Sequence, residues 1–170
     1  MFRFRHLCAL LVLGASAVHG QTPAPHGPAT HQRAAAPVDP SPVVIPLDAA
    51  ARASLTRHTV DATVHGRTLR CEGVALAALL QATGAMPDTP LRGALLDRYA
   101  LVTARDGYRT LFSLGELDAT LGNRGVYLVD RCDGAPLDAD SGPLRLLVPD
   151  DTRPARGVRQ VERITVIAAP

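Results

Sequence analysis

Short stretches of alternating or continuous apolar residues run from Val43 towards the end of the chain and predict a domain rich in strands. Segment 59–64 alternates between apolar and polar residues, which is the period of a half-buried strand. Segments 99–104 and 108–112 flank an Asp-Gly pair, an order that is typical of a β-hairpin. Shorter apolar runs predict further strands at 43–47, 68–73, 126–129, 144–148 and 158–168.

Other segments follow the 3.6-residue period of a helix. Gly84 is suited to end the helix predicted at 74–85, whose apolar positions are Val74, Leu76, Leu79 and Leu80. Ser113 and Glu116 have the spacing of a capping box in front of a second short helix. Asp48 can cap an alanine-rich turn. The predicted fold class is therefore α+β, a mixed β-sheet domain with short helices.

The chain begins with features of a secretory signal peptide. Two arginines precede an apolar run, and small residues follow within the first twenty residues. The run is shorter than the ~20 apolar residues that a membrane span needs. We expect a signal peptide at 1–20, a Pro/Ala-rich disordered linker at 21–42 and one domain at 43–170. The predicted location is periplasmic or secreted, with no membrane span after signal cleavage.

The charged residues exclude some classes of function. The chain contains arginine but no lysine, which excludes Schiff-base chemistry and a P-loop, since both need a lysine amine. Its 18 basic residues face 16 acidic ones, and the two arginines of the signal peptide account for the excess. A neutral mature chain lacks the basic surface of nucleic-acid-binding proteins, so we expect no nucleic-acid partner.

Cys71 and Cys132 remain once Cys8 is removed with the signal peptide. In an oxidising compartment, such a pair suggests a disulfide, worth about 4 kcal/mol for a loop of this length in the chain-entropy model. Two buried free thiols are the alternative, because the sequence does not show whether the two Cα atoms approach each other.

Five sequence pieces occur in a defined order in the domain. They are Gly73-Val74 with the leucines that follow, then 106–118, 133–137, 142–149 and 155–164. In this order they resemble the sulfite-oxidase-like molybdopterin-binding domain, and in particular its short exported stand-alone members. The resemblance implies a mixed α+β fold with a cleft for the pterin of a molybdenum cofactor.

The same resemblance implies an anion site for the pterin phosphate near the end of the chain. The cofactor-binding residues that it implies are Arg145, Arg153, Arg156 and Arg159. Guanidinium groups suit this task because they offer paired donors to phosphate or sulfate. The alternative is a solvated loop in which the arginines pair with Asp150, Asp151 and Glu162.

A metal ligand is harder to assign. Enzymes of the family bind molybdenum through a cysteine in a C-x-G-N-R loop, and a soft thiolate suits such a metal. Here Cys71-Glu72-Gly73 begins like that loop, but Val74 stands where the family has asparagine. Cys71 is therefore a candidate molybdenum ligand and also a candidate structural or disulfide cysteine.

Two functions follow from these observations. The first is an exported molybdopterin-dependent oxidoreductase that acts on a small oxyanion or sulfoxide and passes electrons to a separate redox partner. The second is a non-catalytic periplasmic module that kept the fold and binds a small anion, a pterin or a partner protein, for example in sensing. The departure at Cys71 favours the second function, and the ordered motifs favour the first.

Overall fold

The computed structural model describes residues 41–64 and 66–170, without the side chain of Val64. The predicted signal peptide and nearly all of the predicted linker lie outside these residues. Among the described residues, none of the helices combines the length and the apolar character that crossing a membrane requires.

The described residues form nine strands and three short α-helices. The strands are β1 (Val43–Val44), β2 (Arg57–Val64), β3 (Arg67–Ala75), β4 (Arg98–Ala104), β5 (Arg109–Ser113), β6 (Tyr127–Cys132), β7 (Ala135–Pro136), β8 (Arg145–Leu147) and β9 (Val161–Ala168). The helices are α1 (Ala49–Ala53), α2 (Leu76–Ala82) and α3 (Leu114–Leu117), with 3-10 turns at Gly93–Asp97 and Pro154–Arg156. The mixed α+β class predicted from the sequence is confirmed.

The strands form two antiparallel sheets. Sheet A has the order β1-β9-β4-β5. Sheet B has the order β2-β3-β6, and both β7 and β8 pair with the free edge of β6. The predicted hairpin joins β4 and β5, where Gly107 has φ +86° and the Tyr108 N–H donates to the Asp106 carboxylate at 2.9 Å. Local turn chemistry thus sets this part of sheet A.

The main hydrophobic core lies between sheet A, the helices and one face of sheet B. Val102 and Ile164 enter it from sheet A, Leu79 from α2, and Leu128 and Leu146 from sheet B. All five side chains are fully buried. Burial of this apolar surface supplies the main driving force for folding.

A second, smaller apolar cluster occupies the other face of sheet B. Its buried members are Ala62, Cys71, Val129 and Leu147. Successive strand residues point to opposite faces of a sheet, so Leu146 faces the main core while Leu147 faces this cluster. Sheet B therefore has side chains packed on both faces, and the second face bears the candidate site.

The helix predicted at 74–85 begins later than the apolar spacing indicated. Val74 belongs to β3, and α2 starts at Leu76. The reason is tertiary, because β3 continues past a bulge after Glu72 and pairs Val74 with Leu128. At this point β3 and β6 approach each other so closely that the position requires Gly73, since a Cβ there would lie 2.1 Å from the Leu128 carbonyl oxygen. Strand pairing thus overrides the helical pattern.

The predicted helix boundaries at Ser113 and Gly84 are confirmed. Ser113 Oγ accepts a hydrogen bond from the Glu116 N–H at 3.0 Å, which caps α3. Gly84 has φ +73°, and the following Ala85 N–H donates to the Leu80 carbonyl at 2.9 Å, which ends α2. Asp48 likewise caps α1 by accepting from the Ala51 N–H.

Candidate functional site

Arg145 is the first residue of β8 and stands directly opposite Val129 of β6. Leu144 and Leu146 on either side of it face the main core. Strand alternation therefore directs Arg145 to the face of sheet B that holds the second apolar cluster. Only 8% of the residue is exposed. The alternation along this strand therefore buries Leu144 and Leu146 on one face of sheet B and the Arg145 guanidinium on the other.

The Arg145 guanidinium has no hydrogen-bond or ion-pair partner among the described residues. Its Nε is buried and makes no hydrogen bond with any described residue, and it belongs to no ion pair among them. Burial lowers the pKa of Arg145, repulsion from Arg159 lowers it further, and Asp138 opposes both effects. An isolated buried cation is costly, so an anion brought to this guanidinium would be favourable.

A cavity of about 520 Å³ opens beside Arg145. This volume lies within the range of about 300–1,000 Å³ that is typical of small-molecule sites. Its apolar lining is Ala62, Leu147, Val148, Pro149 and Pro154, and its polar lining besides Arg145 includes Asp61, Thr63, Asp151 and Thr152. The cavity thus combines an apolar surface with a few polar groups, as small-molecule sites do.

Segment 149–157, which follows β8, forms one wall of this cavity. It is held at its end by Val158, which exchanges two backbone hydrogen bonds with Leu146 at 2.7 and 3.1 Å. The Tyr108 hydroxyl also donates to the Ala155 carbonyl, which ties the segment to the β4–β5 hairpin. Both sheets therefore position this wall.

Arg156 is bound within the protein. Its Nε and one terminal nitrogen donate to both carboxylate oxygens of Asp151, at 2.8 and 2.6 Å. The other terminal nitrogen donates to Glu116 at 2.7 Å, and the guanidinium lies 5.0 Å from the centre of the Phe112 ring. These bonds raise the pKa of Arg156 and hold the pKa of Asp151 below its ordinary value. The charge of Arg156 is therefore balanced by two carboxylates of the protein, without a ligand.

Arg153 and Arg159, the other arginines predicted to bind a cofactor, are both exposed. Arg159 lines a smaller cavity of about 200 Å³ together with Tyr108 and Gly157. Gly157 also lines the Arg145 cavity, so the two cavities are neighbours. The structure thus places Arg145 and Arg159 near enough for their charges to repel each other. Arg153 lies on the surface, outside the lining of either cavity.

Cys71 and Cys132 form a disulfide, as one of the two sequence alternatives predicted. They are direct cross-strand partners on β3 and β6, and Cys71 is fully buried. Metal binding needs a cysteine thiolate, and the Cys71 sulfur is bonded to Cys132. The disulfide form of this domain therefore does not fit molybdenum at Cys71. Among the described residues, no three His, Cys, Asp or Glu side chains converge as a metal site.

Several residues of the cavity were not foreseen from the sequence. Asp61 and Thr63 belong to an alternating strand that gave no sign of a site, and Thr152 belongs to a polar loop. They meet Arg145 only because the sheet and the loop after β8 come together in the fold. No sequence motif indicates this cavity, because the segments that line it are far apart in the chain.

Comparison with protein-family models gives no match, and comparison with curated proteins gives no significant match. The chemistry of the site is therefore inferred from its own residues.

Proposed function

We propose that this domain is a binding module that takes a small anion in the cavity beside Arg145. The observation that carries the proposal is the buried guanidinium, which is 8% exposed and has an Nε without a hydrogen-bond partner among the described residues. A bound carboxylate, sulfonate or phosphate would accept charge-assisted hydrogen bonds from it. Such bonds are among the strongest that a polar ligand forms with a protein.

The surroundings of Arg145 support this function. Thr63 and Thr152 also line the cavity, and a hydroxyl turned into it could donate to the remaining oxygens of an anion. Leu144 and Leu146 on either side of Arg145 are buried, and Arg145 pairs with the buried Val129, so the backbone that carries the guanidinium is fixed. A preorganised donor loses little freedom on binding.

The resemblance to sulfite-oxidase-like domains remains a prediction for fold and ligand class. If a pterin phosphate binds, Arg145 would be its ligand, because Arg156 already donates three hydrogen bonds to Asp151 and Glu116. A molybdenum-dependent oxidoreductase would need a free Cys71 thiolate, which the disulfide form does not offer. Elemental analysis for molybdenum, before and after reduction of the disulfide, tests the oxidoreductase function.

We also propose that the protein works in an oxidising compartment, as a periplasmic or secreted protein. The disulfide supports this location, because such bonds persist where thiols are oxidised. Any redox or sensory partner would meet the domain there.

Calorimetric titration and thermal unfolding test the anion site. The purified chain would be titrated with acetate, sulfate and phosphate at constant ionic strength, next to Arg145→Gln and the exposed control Arg153→Gln. We expect binding to the wild type and to the control, and loss of binding in Arg145→Gln. At a hundredfold excess over Kd, the ligand should stabilise the fold by about 2.7 kcal/mol. Equal responses of all three proteins would overturn the proposal.

A further inference from the structure

We infer that the preferred ligand of the Arg145 cavity is an organic monoanion, a carboxylate or sulfonate with an apolar body, and neither an inorganic oxyanion nor a dianion. This inference rests on the proposed anion-binding function and specifies its ligand class. Three features of the cavity lead to it: its volume, its apolar lining and the balance of charge around it.

The volume is too large for an inorganic ion. The cavity measures about 520 Å³, whereas sulfate or phosphate occupies the space of only a few water molecules of about 30 Å³ each. An inorganic ion at Arg145 would leave most of the cavity filled with water. A ligand that fills the site must extend well beyond its anionic group.

The lining predicts what that extension is. Leu147 belongs to the second apolar cluster and lines the cavity next to Val148 and Pro149. Pro154 and Ala62 add apolar surface from the loop and from β2. Contact with this surface would add roughly two- to fourfold in affinity for each methylene group removed from water. The body of the ligand is therefore apolar.

The charges favour a single negative group. Two carboxylates line the cavity, and the charge of Asp151 is balanced by Arg156. Asp61 forms no ion pair with another described residue and lines the same cavity as Arg145. Arg159 lies in the adjacent cavity beyond Gly157. A second anionic group on the ligand would meet Asp61, and among the described residues Arg145 is the one cation in the lining, which disfavours dianions.

Isothermal titration calorimetry on the full chain tests the inference with acetate, hexanoate, adipate and sulfate. We expect hexanoate to bind roughly tenfold or more tightly than acetate or sulfate, since it adds four methylene groups. Adipate, with its second carboxylate, should bind several-fold more weakly than hexanoate. Asp61→Asn should narrow the gap between adipate and hexanoate, whereas the exposed control Asp88→Asn should leave it unchanged.

The outcomes separate this inference from the function on which it rests. If sulfate or acetate binds as tightly as hexanoate, and Arg145→Gln abolishes that binding, the anion site stands and the inference of an organic monoanion is wrong. A gap between adipate and hexanoate that Asp61→Asn leaves unchanged would overturn the charge argument. If no anion binds in a manner that depends on Arg145, both the inference and the proposed function fail.

Discussion

Arg145 on β8 stands directly opposite Val129 on β6, and this register places the guanidinium on the sheet face that also holds the Cys71–Cys132 disulfide. Arg156 differs from it in its partners, because two carboxylates bind that guanidinium. The same side-chain chemistry thus serves two purposes in neighbouring segments. Arg156 is paired with carboxylates of the protein, and Arg145 is the residue that we propose binds a ligand.

Replacing Arg145 with methionine should not destabilise the ligand-free protein. Because an uncompensated buried charge is removed and a side chain of similar length remains, we expect the free energy of unfolding to stay equal or to rise by about 1 kcal/mol. Urea unfolding with and without hexanoate measures this, and the stabilisation by hexanoate should disappear. Arg153→Met is the exposed control. A loss above about 2 kcal/mol in Arg145→Met would show that the guanidinium has a stabilising partner within the protein.

Replacing Arg156 with alanine should have the opposite effect on stability. It removes three charge-assisted hydrogen bonds and leaves Asp151, whose side chain is 13% exposed, without its partner. We expect a loss of about 1–3 kcal/mol in the free energy of unfolding. Arg153→Ala, an exposed neighbour, should change it by less than about 0.5 kcal/mol. Equal effects of the two substitutions would mean that the Arg156 network contributes little.

A fall in pH should weaken a second ion-pair network, which Asp130 forms with Arg57 and Arg52. Hydrogen bonds from Arg57 and Arg52 hold the pKa of Asp130 below its ordinary value. The stability from this carboxylate is therefore present above its unfolded pKa of about 3.9 and is lost as the pH falls through the lower folded-state pKa. The stability gap between wild type and Asp130→Asn should be largest near neutral pH and should shrink in strong acid. Urea midpoints across pH measure it, and the exposed Asp140→Asn should show a smaller gap.

The disulfide should contribute to stability. The bond links β3 to β6 and closes a loop with a sequence separation of 61 residues. Reduction, or the double substitution Cys71→Ala/Cys132→Ala, should lower the free energy of unfolding by about 2–5 kcal/mol. Thiol titration under denaturing conditions before and after reduction establishes the starting state. Free thiols in the untreated protein, together with no effect of reductant on the melting temperature, would contradict the disulfide.

Local chemistry made part of this structure predictable from the sequence. The Asp106-Gly107 hairpin, the Ser113 cap and the Gly84 helix end each depend on residues close in the chain. The capping box at Ser113 was anticipated, yet the Glu116 carboxylate instead binds Arg156, far along the chain. Local signals predict which element forms, but they do not predict which distant partner a side chain finds.

The site was less predictable for the same reason. Four arginines were candidates from the resemblance, and the sequence did not distinguish them. The burial of Arg145 depends on the pairing of β8 with β6, and the engagement of Arg156 depends on where α3 lies. Both relationships arise from tertiary packing, so charge spacing along the loop could not reveal them.

Two glycine substitutions test the strand pairing that displaced the start of α2. A Cβ at Gly73 would lie 2.1 Å from the Leu128 carbonyl oxygen, so Gly73→Ala must push β3 away from β6. We expect a loss of about 2–4 kcal/mol or failure to fold, since backbone atoms cannot yield without breaking the pairing. The matched control is Gly115→Ala in α3, where a Cβ would meet only side chains at 3.8 Å.

Alanine at position 115 should be neutral or should stabilise the fold by up to about 1 kcal/mol, because it favours a helical backbone. Urea unfolding of both variants, with circular dichroism to confirm the fold, gives the comparison. If Gly73→Ala were tolerated as well as Gly115→Ala, the close approach of β3 to β6 would be wrong. The pairing of Val129 on β6 with Gly73 on β3 and Arg145 on β8 would then be wrong. The placement of Arg145 over the second apolar cluster would be wrong with it.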